Sequence, residues 1–288
     1  MCATDLKFIS ELITLYQCED TLKDIYVEGG LDKCIYEWFL HNHLRHDISV
    51  YCVDDVDISD ELLLQYELNP ESNRSKVIAL SNELAKAPEI GASILCIADR
   101  DNEDYIKSTN LNDHLILTDF HSLESYIIND KCIRKFISIA MGHIPMDSAL
   151  FCNQITSIAK QLFFIRLTNE HLRLGMTYVN PFKYIHVQRD SITFGRDPYI
   201  NAYLLSNKMG GRKTDFISTF STLINNAPDD ARLCIRGHDF IDIFHFAAKK
   251  LKSGRRYEDS LFFSGAFFSS LEDNDLLDYP LFRRILSL

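Results

Sequence analysis

Six consecutive residues, Ser93-Ile94-Leu95-Cys96-Ile97-Ala98, run without any alternation of polar and apolar side chains. A strand of that kind has both faces in the core, which is the condition of a central strand in a parallel sheet covered by helices on each side. The preceding sequence fits that demand. Asp24-Ile25-Tyr26-Val27-Glu28 reads as a short strand broken by Gly29-Gly30, and Leu31 to Leu44 reads as a helix with Ile35, Trp38, Phe39 and Leu40 on its apolar side. Ile48 to Val53 is a second predicted strand, residues 75–86 a helix, and His114 to Thr118 a fourth strand after the 93–98 segment. An amphipathic helix is predicted over 5–17, from Leu6, Ile9, Leu12, Ile13 and Tyr16. Strand and helix in alternation specify an α/β fold: a Rossmann-like parallel sheet of about four strands flanked by helices.

Beyond residue 120 the pattern changes. Residues 121–172 read as mostly helical, a hairpin fits Tyr184 to Phe194 around Arg189-Asp190, and helices are predicted over 198–207, 214–226, 238–252 and 258–270. Charge divides in the same place. Residues 1–130 carry 26 acidic against 9 basic side chains, and residues 131–288 carry 15 against 21. We therefore expect two domains, an acidic α/β domain over 1–130 and a basic, mostly helical lobe over 131–288. The net charge of −11 excludes a simple cationic nucleic-acid-binding module, but not an enzyme that uses metal ions and a local basic face. Ten of the cations fall between Lys208 and Arg256: Lys208, Arg212, Lys213, Arg232, Arg236, Lys249, Lys250, Lys252, Arg255 and Arg256. Contacts of such residues with phosphates position a polyanion without reading its sequence. Phe262, Phe263, Phe267 and Phe268 recur at helical spacing, so core or a partner interface is expected there rather than a base-stacking platform.

No apolar run approaches the ~18 residues of a membrane span. Residues 1–7 lack a basic stretch followed by an apolar one, so no signal peptide is expected. The eight cysteines include no CxxC, and no two lie closer than 16 residues. That spacing argues against a zinc site and a compact disulfide framework and fits a reducing cytoplasm.

The informative residues end the predicted strands. Glu28 closes the first strand before two glycines. Asp99 closes the third, with Asp101 two residues on. Asp119 closes the fourth, with Glu124 five residues on. In an open α/β sheet, ligands bind outside the carboxyl ends of the strands. Carboxylates gathered there repel one another unless a cation neutralises them. Hard oxygen donors without a Cys or His pattern favour Mg²⁺ or Mn²⁺ over Zn²⁺. One acidic residue at a strand end is usually a turn former or helix cap, and it is the combination that points to a metal site.

The segments Ile25-Tyr26-Val27-Glu28-Gly29-Gly30-Leu31-Asp32 and Ile97-Ala98-Asp99-Arg100-Asp101 resemble the Toprim domain of topoisomerases, primases and certain nucleases. With Thr118-Asp119-Phe120-His121-Ser122-Leu123-Glu124-Ser125-Tyr126 and Arg236-Gly237-His238-Asp239, the chain is similar to the DUF4435 branch. That branch includes the toxic effector subunit of the PARIS anti-phage system, which works beside an ABC-type ATPase. The resemblance implies that Glu28 is a metal ligand or general acid/base, that Asp99 and Asp101 form the metal-binding DxD, and that Glu124 is the acidic residue after the fourth strand. It implies a nuclease acting on tRNA or DNA, held inactive by an ATPase partner. With the apolar C-terminal helices it also implies a homodimer as the active form. The lysine found near the metals in some Toprim nucleases has no obvious equivalent here; Lys33, Arg100 and Lys131 are the candidates.

Three other patterns carry less. His41-Asn42-His43 spells HNH, but residues two apart on a helix point to different sides, so with His46 they read as a wet helix end. Asp54-Asp55-Val56-Asp57 lacks the glycine and terminal glutamate of a calcium loop and reads as a solvated acidic turn. Gly210-Gly211-Arg212-Lys213 lacks P-loop spacing and reads first as an interhelix turn. Two functions follow: a metal-dependent phosphodiesterase, or a non-catalytic sensor or interaction module that binds metal or nucleotide. A primase or topoisomerase fits less well, because zinc-ribbon cysteines and a topoisomerase tyrosine context are missing.

Overall fold

The computed structural model describes residues 6–87, 89–103, 105–106, 108–142, 144–251 and 260–288, with 260–262 described by backbone alone. The described residues divide into two compact units. One takes those within Met1–Arg100, Ser108–Asp119 and Glu272–Leu288; the other takes those within Asp101–Lys107 and Phe120–Leu271.

The first unit is the α/β part. Its elements are β1 (Lys7–Phe8), α1 (Ile9–Cys18), β2 (Asp24–Val27), α2 (Gly30–Asn42), β3 (Ser49–Cys52), β4 (Val56–Asp57), α3 (Asp60–Gln65), α4 (Asn73–Leu84), β5 (Ile94–Ala98) and β6 (Leu115–Leu117). Among the described residues β3-β2-β5-β6 form a four-stranded sheet, parallel throughout. Every residue of β2 and β5 is buried, as the unbroken apolar run demanded. Tyr26, Ile94, Cys96 and Ala98 pack into one core with Leu12 and Tyr16 of α1 and Val77, Leu80 and Leu84 of α4. Strand alternation turns Ile25, Val27, Leu95 and Ile97 to the opposite face.

Polar side chains set where the helices begin. Asp32 Oδ2 accepts from Gly29 N at 3.1 Å at the start of α2, and Ser59 and Ser72 cap α3 and α4 through Leu62 N and Ser75 N. Two local expectations shift. Lys7 and Phe8 leave the predicted first helix to pair in parallel with Val56 and Asp57. The second helix stops at Asn42, and Leu44 takes a left-handed conformation with φ 57°.

The expected divide at residue 130 is replaced by one at Asp119 and Phe120, and the final segment returns to the first unit. The reason is apolar burial. A closing helix, Pro280–Leu286, buries Leu281, Phe282 and Ile285, and the Phe282 ring lies 4.8 Å from Phe39 and 5.8 Å from Tyr36 of α2. Nearby, His43 Nε2 lies 3.6 Å from Asp273, and the His41 and His46 rings meet each other at 5.3 Å, so the HNH letters mark a helix end.

The second unit is mostly helical. It contains α5 (Asp130–Phe136), which runs into a π turn at Ile137–Met141, then α6 (Ser148–His171), an antiparallel hairpin of β7 (Ile185–Val187) and β8 (Ile192–Phe194), α7 (Arg196–Ser206), α8 (Lys213–Asn225), α9 (Gly237–Lys250) and α10 (Ser260–Phe268). Asp147 starts α6 by accepting from Ala149 N and Leu150 N, each at 3.0 Å. Phe136 stacks on Phe267 at 4.4 Å, and Phe151 meets Phe244 edge-on at 4.9 Å. Phe263, Phe267 and Phe268 are core, as their spacing implied; the Phe262 side chain lies outside the described residues. No described helix is long and apolar enough to cross a membrane. The seven described cysteines are free thiols.

Candidate active site

The strand order places a switch point. The chain leaves β2 for β3 on one side and crosses back to β5 on the other, so β2 and β5 are neighbours whose onward connections diverge. A crevice opens at the carboxyl ends of such a pair. Glu28 follows β2 directly and Asp99 follows β5 directly. Across that crevice Glu28 Oε1 accepts from Asp99 N at 2.8 Å.

The crevice is built by α4 as well. In a parallel crossover, the helix that precedes a strand starts at the carboxyl end of the sheet. The first turn of α4 accordingly supplies Asn73 and Arg74. Asn73 Nδ2 donates to the Glu28 carbonyl and to Asp54 Oδ2, both at 2.9 Å. Arg74 Nε donates to the Asp99 carbonyl at 2.7 Å. Lys76 Nζ lies 2.9 Å from Asp54, and this bond holds the Asp54 carboxyl below the usual carboxylate range. Asp54 is therefore not only a solvated turn residue: through Asn73 it is joined to the backbone of Glu28. Arg100 N donates to Thr118 Oγ1 at 2.9 Å, which ties the loop after β5 to the end of β6. Asp119, also in the first unit, accepts from Leu281 N at 3.4 Å.

Asp101 and Glu124 belong to the second unit. Asp101 has φ 50°, a left-handed conformation that Asp tolerates better than most residues, and its N donates to the His121 carbonyl at 2.9 Å. Glu124 sits on the buried turn Leu123–Ile127, its Oε1 3.3 Å from His238 Nε2. Gly237 opens α9 against it. A Cβ on Gly237 would stand 2.3 Å from Glu124 Cβ and 2.8 Å from Glu124 Oε2, so only glycine admits this packing. Among the described residues, no three His, Cys, Asp or Glu side chains are gathered as a ready-made metal cage.

Of the expected catalytic cations, Lys33 lies 3.8 Å from Glu37, and the Nε of Arg100 donates to the Thr118 carbonyl at 3.2 Å. Arg74 is the cation bonded to the backbone of Asp99, and the sequence reading missed it. Its signal was Ser72, a helix cap that moves the start of α4 two residues earlier than 75. In the basic stretch Arg212 pairs with Asp215 and Arg232 with Asp230, while Lys252, Arg255 and Arg256 lie outside the described residues. The chain matches no protein-family model and no curated protein.

Proposed function

We propose that this chain is a metal-dependent nuclease of the Toprim type, the toxic effector of an anti-phage system. A partner ABC-type ATPase holds it inactive, and on release it cleaves tRNA or other nucleic acid as a homodimer in the cytoplasm. The observation that carries the reading is the Glu28–Asp99 pair at the switch point, joined by a 2.8 Å hydrogen bond. Two carboxylates there suit Mg²⁺ or Mn²⁺, because Mg²⁺ is commonly held by one or two carboxylates plus substrate phosphates and keeps several waters. A complete protein cage is not required of such a site.

Glu28 and Asp99 would hold the ion, with Asp119 as a further carboxylate of the same unit. Bound there, the ion supplies Lewis-acid stabilisation of phosphate charge and a more acidic water. The chain's own groups do the positioning. The Asp99 N–H fixes one Glu28 oxygen, Arg74 fixes the Asp99 carbonyl, and Asn73 fixes the Glu28 carbonyl. A Glu28 carboxylate held this way loses little freedom when a cation and a phosphate arrive.

The absence of three gathered ligands among the described residues favours a second reading, a non-catalytic module that binds metal or nucleotide within a defence complex. The test is incubation of purified protein, alone and with its ATPase partner, with Mg²⁺ or Mn²⁺ and labelled DNA and tRNA. Metal-dependent cleavage that disappears in Glu28→Gln supports the nuclease. Saturable Mn²⁺ binding without cleavage of either substrate, with and without the partner, supports the module.

A further inference from the structure

The second unit contains a cavity of about 370 Å³ whose lining begins at Asp101 and extends well beyond it. That volume lies at the small end of ligand pockets and suits one nucleotide. Its lining combines aromatic walls with a hydrogen-bonding rim. Phe163 is buried beside it, and Tyr178 stands at its edge, 43% exposed. The Arg166 guanidinium lies 3.8 Å from the Tyr178 ring centroid, so one face of the ring is backed by a cation. Arg166 is itself anchored, because its Nη2 donates to the buried Asp239 at 2.8 Å. Tyr178 is thus an exposed ring held in a set orientation at the cavity. On the rim Asn102 Nδ2 donates to Glu170 Oε2 at 2.9 Å, which orients the Glu170 carboxylate at the cavity. Among the described residues this is the only hydrogen bond made by the Glu170 side chain. Arg236 adds a cation to the same lining.

We infer that this cavity receives one unpaired nucleobase, stacked on Tyr178, with Glu170 reading its edge and Arg236 near the attached phosphate. The inference rests on the reading of the chain as a nucleic-acid enzyme and names what that enzyme selects. An ionised carboxylate only accepts hydrogen bonds. Of the standard bases, guanine alone presents two adjacent donors, a ring N–H and an amino group, so the site prefers guanine. Reading an extruded base by its pairing edge and by stacking is the general solution for enzymes that act on unpaired nucleotides.

The test uses the full chain in EDTA, so that no cleavage intervenes. Calorimetry with GMP, AMP, CMP and UMP should show GMP binding about tenfold or more tighter than the others, the scale of one well-made charged hydrogen bond. A short oligouridylate carrying one guanosine should outbind plain oligouridylate if the base comes from a strand; GMP binding alone marks a free-nucleotide site, which overturns the substrate assignment. Glu170→Gln should weaken GMP about tenfold or more, and Tyr178→Ala should weaken all four nucleotides by a similar factor. Equal binding of the four nucleotides, no saturable binding at millimolar concentration, or undiminished GMP binding by Glu170→Gln with its melting curve unchanged each overturns the inference. Glu28→Gln separates the two claims: it should abolish cleavage and leave GMP affinity intact.

Discussion

The carboxylate of Glu28 is hydrogen-bonded to the backbone N–H of Asp99, 71 residues later in the chain, at 2.8 Å. The bond spans two neighbouring strands at the point where their connections part, and it orients an acid where a sheet of this order opens a crevice. The proposed function gives this side chain a second role, a charge for chemistry, beside that of acceptor for the fold, and substitution can separate the two.

Glu28→Gln keeps an oxygen to accept the Asp99 N–H and loses the charge. Its cost in stability should stay below about 1 kcal/mol, a shift of a few degrees at most, while metal-dependent cleavage falls ~100-fold or more. Glu28→Ala should lose the same activity and also about 1–3 kcal/mol of stability, because the Asp99 N–H is left unmet. Melting curves and cleavage rates on the same preparations check both. Equal stabilities for the two variants would remove the structural half of the argument.

Arg74 is expected to act by position. Its 2.7 Å bond to the Asp99 carbonyl is charge-assisted, so Arg74→Ala should cost about 1.5–3 kcal/mol in urea unfolding. Metal affinity should drop ~10–100-fold, the range seen when a group that orients a ligand is removed. Calorimetric titration with Mn²⁺ measures it, and unchanged affinity would assign Arg74 to folding alone.

Gly237→Ala tests the close fit of α9 on the Glu124 turn. The added methyl meets the Glu124 Cβ, which cannot swing aside, so about 1–3 kcal/mol should be lost through overpacking. Glu124→Gly should restore part of that loss, whereas Glu124→Ala, which retains the Cβ, should restore less. A double-mutant cycle in urea decides it; rescue by both to the same degree would mean the clash is with the carboxylate rather than the Cβ.

Asp24 lies at the amino end of β2, buried, with Tyr16 Oη donating to its Oδ2 at 2.8 Å. Burial raises its pKa above 3.8, against the opposing effect of the Tyr16 bond. A carboxyl with a raised folded pKa contributes stability that is complete below the unfolded value and is lost as pH rises through the folded one. Asp24→Asn does not titrate, so its stability relative to the natural chain should be greater at pH 7.5 than at pH 4. Urea midpoints at the two pH values measure this, and a constant difference between the proteins would show that Asp24 is not the group responsible.

Much of the first unit was legible because its information is local. An unbroken apolar run requires cover on both faces, helical periodicity marks what covers it, and an acidic residue directly after a strand stands at its carboxyl end. Those rules placed β2, β3, β5 and β6 within a residue or two and put Glu28, Asp99 and Asp119 at strand ends. Local pattern also identified the hairpin of β7 and β8 and the helices of the second unit. Tertiary structure decided what depends on partners far apart in the chain. The sheet order makes β2 and β5 neighbours and so joins Glu28 to Asp99. The start of α4 brings Asn73 and Arg74 to the same backbone. The pairing of Lys7 and Phe8 with Val56 and Asp57 overrode a helical pattern, and Phe282 drew the final segment onto α2. None of these pairings has a periodicity or composition of its own. Each depends on complementary shape and hydrogen bonding between distant segments, and that complementarity exists only once the chain has folded.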